Sequence, residues 1–399
     1  MAPGWQPASR ALLLGNFAIG CGVMVVPGSL NDLSQGLSVS PAVAGQLITA
    51  GALMMGLGAP LLAALLGGWD RRRLLTAALL WYAAGHALAA CMPGLAALLP
   101  VRALSVLGAA LFTPQAAAAM NVLAPAEQRG RALTTVFMGW SLASVVGMPM
   151  AGYVSETFGW RWAFAGVALL ATLGAGVVWR AVPDGVRPPP LSLAAWREVL
   201  TSPALMAIVA VTAFSSAGQF TLFGYFAPFY RQVVGADAAG VAFLFFWFGA
   251  VGLLGNVVLT RWIDRQGAAR CASAAMALMA LSMLLWPLAG AQAMLPGVAG
   301  MAVVLVPWAL GCFASNSAQQ ARLAQAAPAF APALLALNTS AIYGGQAVGA
   351  AGGGALLAAF GFAPLSWAGL GWLGVALALS LWVANRMQPA PARAGARRA

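Results

Sequence analysis

The stretch "GWSLASVVGMPMAGYVSETFGWRWAF" (139–164) carries a small residue at every fourth position of an apolar run, at Ala143, Gly147, Ala151 and Ser155. Positions four apart lie on the same face of an α-helix, so the run predicts a helix with a smooth stripe that packs closely against another helix. The same spacing returns 198 residues later in "LNTSAIYGGQAVGAAGGG" (337–354), at Ala341, Gly345, Gly349 and Gly353. The recurrence predicts a chain built as two equivalent halves.

The composition places both halves in a membrane. Of the 399 residues, 62% are hydrophobic and only 7% are charged, whereas about a quarter of a soluble domain is charged. The net charge of +12 comes from arginines that lie between apolar runs rather than along one basic face, which argues against a nucleic-acid partner. We therefore expect the lipid bilayer to be the main solvent of the protein.

Twelve apolar segments are each long enough to span a bilayer. We place them at about 11–31, 42–67, 74–92, 95–123, 132–156, 160–182, 204–230, 239–261, 270–290, 296–320, 331–358 and 362–385. With the N-terminus in the cytoplasm, 17 of the 20 arginines lie at cytoplasmic ends, while Arg161 and Arg231 lie outside and Arg102 lies within a span. The sequence thus predicts an all-α inner-membrane protein with both termini cytoplasmic.

The longest polar connection divides the spans into two sets of six. We expect an N-terminal half at 1–182, a cytoplasmic linker at 183–203, and a C-terminal half at 204–399 that ends in a short basic tail. The loop after the second span holds Asp70, Arg71, Arg72 and Arg73, and the loop after the eighth holds Asp264, Arg265 and Arg270. Two parallel six-helix repeats are a common plan of secondary transporters.

Six stretches in order resemble the major facilitator superfamily, specifically its twelve-span bacterial branch of arabinose, sugar and chloramphenicol exporters. They are "GAPLLAALLGGWDRRRLL" (58–75), "VRALSVLGAALFTP" (101–114), the 139–164 stretch, "FTLFGYFAPF" (220–229), "GNVVLTRWIDRQGAAR" (255–270) and the 337–354 stretch. The resemblance implies export by alternating access. It also implies that the acidic-basic loops hold one conformation, that the 139–164 motif is associated with antiport, and that Arg102 takes part in proton coupling.

The loops and stripes also have simpler interpretations. Loop arginines set topology without any conformational role, and small residues such as Gly147, Gly152, Gly345, Gly349 and Gly353 allow close helix packing in any membrane bundle. Pro149 additionally removes a backbone donor from its helix. We expect the stripe with Pro149 to seal the bundle by packing.

Arg102 has two interpretations that the residues leave open. It either reaches the headgroups or a helix-end carbonyl, or it faces a wet central cavity and handles substrate or protons. Proton coupling requires a group that titrates, yet all eight acids fall at helix ends or in loops, and Val23 stands where relatives of the family commonly carry glutamate. Asp32 at the outer mouth and His86 in the third span are the remaining proton candidates.

A substrate without strong positive charge fits this sequence, because no deep acid supplies a counter-ion. We predict a secondary exporter of a small neutral or anionic organic solute by proton antiport, with an uncoupled facilitator or uptake carrier as the alternative. Candidate pathway residues, each of which is equally suited to bonding between helices, are Arg102, Asn16, Gln46, Gln115, Gln219, Tyr225, Asn316, Asn338, Tyr343, Gln346 and Asp32.

Other functions lack the residues they need. A polytopic membrane enzyme, the remote alternative, requires a nucleophile, base or metal set within mutual reach, and the chain has one histidine and four cysteines without metal-ligand spacing. A phosphate-cradling GK[ST] loop is also missing. We therefore expect no catalytic residues, metal or cofactor, and a monomer whose partners are lipid, solute and protons.

Overall fold

The computed structural model describes residues 5–187, 193–291 and 295–386. In these ranges the chain forms twelve long helices and no strand. The first six are α1 (Trp5–Gly28), α2 (Gln46–Leu66), α3 (Arg71–Ala90), α4 (Leu95–Ser105 continued by Leu107–Leu123), α5 (Arg129–Leu142, Ala143–Gly147 and Met148–Phe158) and α6 (Trp160–Ala181). Two short helices, Leu30–Gly36 and Pro41–Ala44, join α1 to α2, and a short 3₁₀ turn at Ala126–Gln128 precedes α5.

The second half repeats this order after the linker. A nine-residue helix, Leu193–Thr201, leads to α7 (Pro203–Phe223 continued by Phe226–Gln232), α8 (Ala238–Arg261), α9 (Ala268–Gly290), α10 (Gly297–Ala326), α11 (Ala331–Phe360) and α12 (Ala363–Arg386). Ile263–Gln266 and Pro328–Phe330 form single turns between them. We call the end of the bundle that carries the start of α1, the linker and the end of α12 the linker side, and the opposite end the far side.

Ten of the twelve helices are long and apolar enough to cross a membrane. The other two are α3, which begins with three arginines and carries His86, and α11, which is rich in glycine and polar residues. Both run alongside the ten other long helices within the bundle. The α3 helix has 20 residues and is therefore about 30 Å long. The predicted all-helical membrane fold is therefore confirmed, although several helices extend beyond the predicted spans.

Each half is held together by its own helix pairs. In the N-terminal half α1 packs on α5 and α3 packs on α6, and in the C-terminal half α7 packs on α11 and α12 while α9 packs on α10. The two halves meet chiefly where α2 packs on α11 and α5 packs on α8. These four helices thus form most of the interface between the halves.

The two small-residue stripes occupy equivalent places in the two halves. In α5, a Cβ at Gly147 would lie 2.5 Å from the sulfur of Cys21 in α1. Gly152 of α5 faces the carbonyl of Gly28, which also belongs to α1. In α11, Gly345, Gly349 and Gly353 face carbonyls of α7 that are also spaced by four residues, those of Ala213, Ala217 and Thr221. Each stripe therefore brings two backbones together inside one half.

The α5 helix changes its winding in the middle of its stripe. Residues Ala143–Gly147 form a π-helical turn directly before Met148 and Pro149. Proline lacks the N–H that a regular helix needs and its ring crowds the preceding turn, so a wider turn accommodates it. The change of winding lies where α5 contacts both α1 and α8.

Candidate functional site

A cavity of about 1500 Å³ lies between the two halves. Its wall includes Arg71, Trp196 and Ala331, which all belong to the linker side, and it ends toward the far side at Phe223 and Phe248. Beyond these two rings, Phe226 packs against Trp308 and other aromatic side chains of the C-terminal half. The cavity therefore reaches the linker side and is closed toward the far side.

The wall of the cavity combines aromatic and neutral polar side chains. Rings come from both halves, at Phe137, Trp140, Phe220, Phe223, Phe248, Phe313 and Tyr343. Amides and hydroxyls stand between them, at Thr113, Gln115, Asn121, Ser141, Ser144, Ser215, Ser216, Gln219, Asn256, Asn316, Gln320 and Gln346. Arg71 at the linker side is the one charged lining residue in the described part of the chain. Such a surface suits an uncharged, partly aromatic solute.

Five of the predicted pathway residues line this cavity: Gln115, Gln219, Asn316, Tyr343 and Gln346. The Nε2 of Gln219 lies 3.4 Å from the hydroxyl of Ser215, one turn away. Gln115 is 5% exposed, and its Oε1 has no hydrogen-bond partner in the structure. A buried amide oxygen without a partner at a cavity wall is available to accept a hydrogen bond from a solute.

Asn16 and Asn338 do not line the cavity, which corrects the prediction for both. Asn16 is fully buried, where its Nδ2 donates to the carbonyl of Val136 at 3.0 Å and its Oδ1 accepts from Thr113 at 2.8 Å. Asn338 accepts from Thr212 at 2.7 Å. Since Thr113 and Thr212 both line the cavity, each asparagine orients a wall residue from behind.

Gln46, Tyr225 and Asp32 lie at the far side, outside the cavity. This corrects the prediction for Gln46 and Tyr225, whereas Asp32 was expected at a mouth rather than in the wall. Gln46 is exposed at the start of α2. Tyr225 is buried, and its hydroxyl donates to the carbonyl of Ala350 at 2.7 Å. A Cβ at Gly45 of the other half would lie 2.5 Å from this hydroxyl oxygen, so Tyr225 stands in the contact that closes the far side.

Arg102 is buried inside the N-terminal half and does not line the cavity in this conformation. Its Nη1 donates to Nε2 of His86 at 3.1 Å, and Nδ1 of His86 lies 2.9 Å from the carbonyl of Tyr82. Because arginine only donates, Nε2 of His86 must accept and Nδ1 must carry the proton. The rotation of α4 thus directs Arg102 toward α3 in this conformation, and not toward the cavity as one of its two interpretations had it.

The loop between α2 and α3 is bonded to itself and to the start of the linker that follows α6. Asp70 caps α3 by accepting from the N–H of Arg73 at 3.1 Å, and its other oxygen accepts from the N–H of Gly185 at 2.7 Å. Arg71 donates to the carbonyls of Gly67 and Trp69. Arg72 lies over the ring of Trp179, at 4.2 Å. In this conformation the loop joins α3 to the end of α6.

The corresponding loop of the C-terminal half, between α8 and α9, exposes two of its arginines. Arg265 and Arg270 are exposed, and the side chain of Asp264 lies outside what the structure describes. Arg322 in α10 is a buried cation of this half, which the sequence did not single out, and it donates to the hydroxyl and carbonyl of Ser380 in α12. It likewise bonds within one half.

Contacts across the halves at the far side were also missed from the sequence. Glu156 at the end of α5 forms an ion pair with Arg231 at the end of α7, with 3.4 Å between Oε1 and Nε. Asn31 donates to the carbonyl of Ala227 at 3.1 Å. The only sequence signal was that Arg231 is one of two arginines outside the cytoplasmic set. Its partner is 75 positions away and became visible only in the fold.

The comparisons with known proteins agree with this architecture. The family model of the Major Facilitator Superfamily matches residues 12–350. The Bacillus subtilis protein named Uncharacterized MFS-type transporter YbcL is 27% identical over 94% of this chain and 95% of its own length. The Chloramphenicol resistance protein of Streptomyces lividans is 32% identical over 82% of this chain and 84% of its own.

A further relative and a solved structure complete the comparison. The Helicobacter pylori protein named Probable sugar efflux transporter is 27% identical over 86% of this chain and 85% of its own. A bacterial homologue of the human lysosomal transporter Spinster, in an inward-facing and unoccupied conformation, shares the fold with a TM-score of 0.73 at 16% identity, covering 98% of this chain and 100% of that one. The chain is a multi-pass membrane transporter that belongs to the Major Facilitator Superfamily.

Proposed function

We propose that this transporter exports a small neutral organic solute from the cytoplasm by alternating access, driven by proton antiport. The observation that carries the proposal is the cavity between the halves, which reaches the linker side, is closed at the far side, and is lined by rings and neutral amides. A ring-lined wall binds apolar surface, and the amides supply the few directed hydrogen bonds that set specificity.

The charge of the cavity separates the neutral from the anionic substrate class. Arg71 is the one charged side chain among the described lining residues, and both its terminal nitrogens already donate to carbonyls. An anion deep in the cavity would lose hydration without meeting a free cation. This supports a neutral solute over the anionic one that the sequence also allowed.

The direction of transport rests on which side is the cytoplasm. The arginines concentrate at the linker side, which the positive-inside rule places in the cytoplasm of an inner-membrane protein. The cavity then reaches the cytoplasm in this conformation, as the loading state of an exporter requires. The names of two relatives, which refer to chloramphenicol resistance and sugar efflux, support export as well.

An uncoupled facilitator of the same fold is the second candidate. It is favoured by the absence of a carboxylate among the described residues that line the cavity. A proton-coupled exporter usually needs an intramembrane group that binds and releases the proton. Coupling by His86 or by the far-side acids would have to act through the conformational change instead.

Flux into inverted membrane vesicles distinguishes these functions. We expect chloramphenicol, or a neutral monosaccharide, to accumulate in the vesicle lumen above its external concentration when the lumen is acidic. This accumulation should stop when a protonophore removes the pH gradient. Equal flux with and without the gradient would establish the facilitator instead. Transport of neither probe class, with an anionic aromatic acid transported in their place, would contradict the neutral-solute proposal.

A further inference from the structure

The two halves are bonded to each other by polar groups at the far side. There Glu156 and Asn31 of the N-terminal half meet Arg231 and the carbonyl of Ala227 in the C-terminal half. The segment Met148–Phe158, which forms the far portion of α5, packs against α8. These contacts belong to the closed end of the cavity rather than to its wall.

The two partners of the ion pair are held differently. The side chain of Glu156 is only 11% exposed, and its second oxygen, Oε2, is buried without a hydrogen-bond partner. The side chain of Arg231 is 40% exposed, and its Nη1 also donates to the carbonyl of Ala236 in its own half. Arg231 is therefore a fixed, partly hydrated cation that reaches across the interface to a buried carboxylate.

This difference sets which partner the closed end depends on. If Arg231 is removed, Glu156 remains a buried charge without a counter-ion, which is strongly unfavourable. If Glu156 is removed, Arg231 can turn its exposed face to water at little cost. The closed arrangement therefore depends more on the arginine than on the glutamate.

We infer that Glu156 and Arg231 form an ionic latch that holds the far ends of the halves together, and that breaking it is a step in the transport cycle. Both are positioning residues, since neither reaches the cavity. The inference rests on the alternating access of the proposed function, because a rigid protein would have no use for a contact that breaks. In the open arrangement both charges would be hydrated, which makes the contact reversible.

Spin-label distances between the far ends test the latch without measuring transport. The four native cysteines are replaced, and labels are placed at the exposed positions Gln35 and Gln232, one in each half. We expect Arg231→Gln to raise the ratio of open to closed far ends roughly tenfold, and Glu156→Gln to raise it by about threefold or less. The double variant should lie below Arg231→Gln alone, since the buried charge of Glu156 is then absent as well.

Arg161→Gln is the matched control, because Arg161 also lies at the far side but donates to the carbonyl of Met92 within its own half. It should leave the distances unchanged. The single variants could fold and yet fail to close. In that case the exchanged pair, Glu156→Arg with Arg231→Glu, should restore the closed population. Unchanged distances in Arg231→Gln would overturn the latch. Absence of chloramphenicol flux in the protein without these substitutions would instead count only against the proposed function.

Discussion

Contacts within a half and contacts between the halves both use close glycine packing, but the contacts between the halves add a few polar bonds at the far side. Inside each half, glycines bring backbones together along whole helices, as Gly349 does against the carbonyl of Ala217. Between the halves, α5 and α8 touch along Ala143–Phe158, and the polar bonds lie at the far side. Closely packed helices hold one discrete arrangement, whereas a few polar bonds at one end can break and reform.

The comparison implies two rigid bodies with a separable interface. Hydrogen bonds of the α2–α3 loop end on Gly185 and Val186, in the part of the linker that directly follows α6. The described polar bonds of the linker side therefore stay with one half, whereas those of the far side join the two halves. A transporter that alternates needs this asymmetry to reverse during its cycle. Substitutions that act within a half should therefore damage folding, and those that act between halves should shift populations.

The largest effect is expected within a half, from Gly349→Leu. Any side chain at Gly349 collides with the backbone of Ala217, which has no freedom to move because Gly345 and Gly353 hold the same two helices. We expect a destabilisation of about 3 kcal/mol or more and loss of the folded protein on size-exclusion chromatography. Gly352→Leu is the control, since a Cβ there meets nothing within 4 Å. Equal yields of the two variants would show that α7 and α11 are not tightly packed.

A smaller effect is expected between the halves, from Gly249→Ala in α8. The added Cβ would lie 2.7 Å from the carbonyl oxygen of Ser144 in the other half. It should therefore disfavour the closed far side and raise the open population roughly tenfold by spin-label distance, without lowering the folded yield. Gly374→Ala, whose Cβ meets nothing within 4 Å, should change neither. A misfolded Gly249→Ala protein would mean that this contact is structural rather than separable.

Arg102 lies within a half but makes no close backbone packing, so its replacement should cost little stability. Arg102→Met removes a charge from the membrane interior, which offsets the loss of a donor to Nε2 of His86. We expect a change in the free energy of unfolding within about 1 kcal/mol, unchanged far-side distances, and reduced transport. A strongly destabilised variant would show that Arg102 is retained for folding, and a normal transport rate would remove it from the mechanism.

Much of the fold was accessible from sequence because it depends on local signals. Apolar length marks a membrane helix, and the four-residue spacing of Gly345, Gly349 and Gly353 marks the face that packs. These signals also identified the two halves. The exact contact of a stripe, such as Gly147 against Cys21, depends on the neighbouring helix and required the structure.

The candidate site was less predictable because it depends on how each helix is rotated. A polar residue in a membrane helix faces either the cavity or a partner, and the sequence does not distinguish Gln115, which lines the cavity, from Asn16, which supports Thr113. The ion pair of Glu156 with Arg231 is the clearest omission, since neither residue was a candidate. Residues that pair across the two halves are far apart in the sequence, so no local spacing marks them.

The smallest effect is expected from Asp32, which lies beside the latch in the short helix Leu30–Gly36. Burial raises the pKa of its carboxyl, outweighing the lowering effects of Ser155 and Arg231. A carboxyl with a raised pKa in the closed arrangement binds its proton more tightly there than in a hydrated, open one. As the pH falls from the raised pKa to the ordinary value for aspartate, the closed far side is therefore increasingly favoured.

Titration of the spin-labelled protein checks this direction. We expect the closed fraction to rise on acidification, by about twofold in the open-to-closed ratio, and Asp32→Asn to favour the closed arrangement already at neutral pH while flattening the response. A closed fraction that falls on acidification would mean that the ionised carboxylates hold the ends together, and that protonation opens the far side. An external proton would then release the latch rather than set it, and protonation of Asp32 and Glu156 would promote the outward-open state.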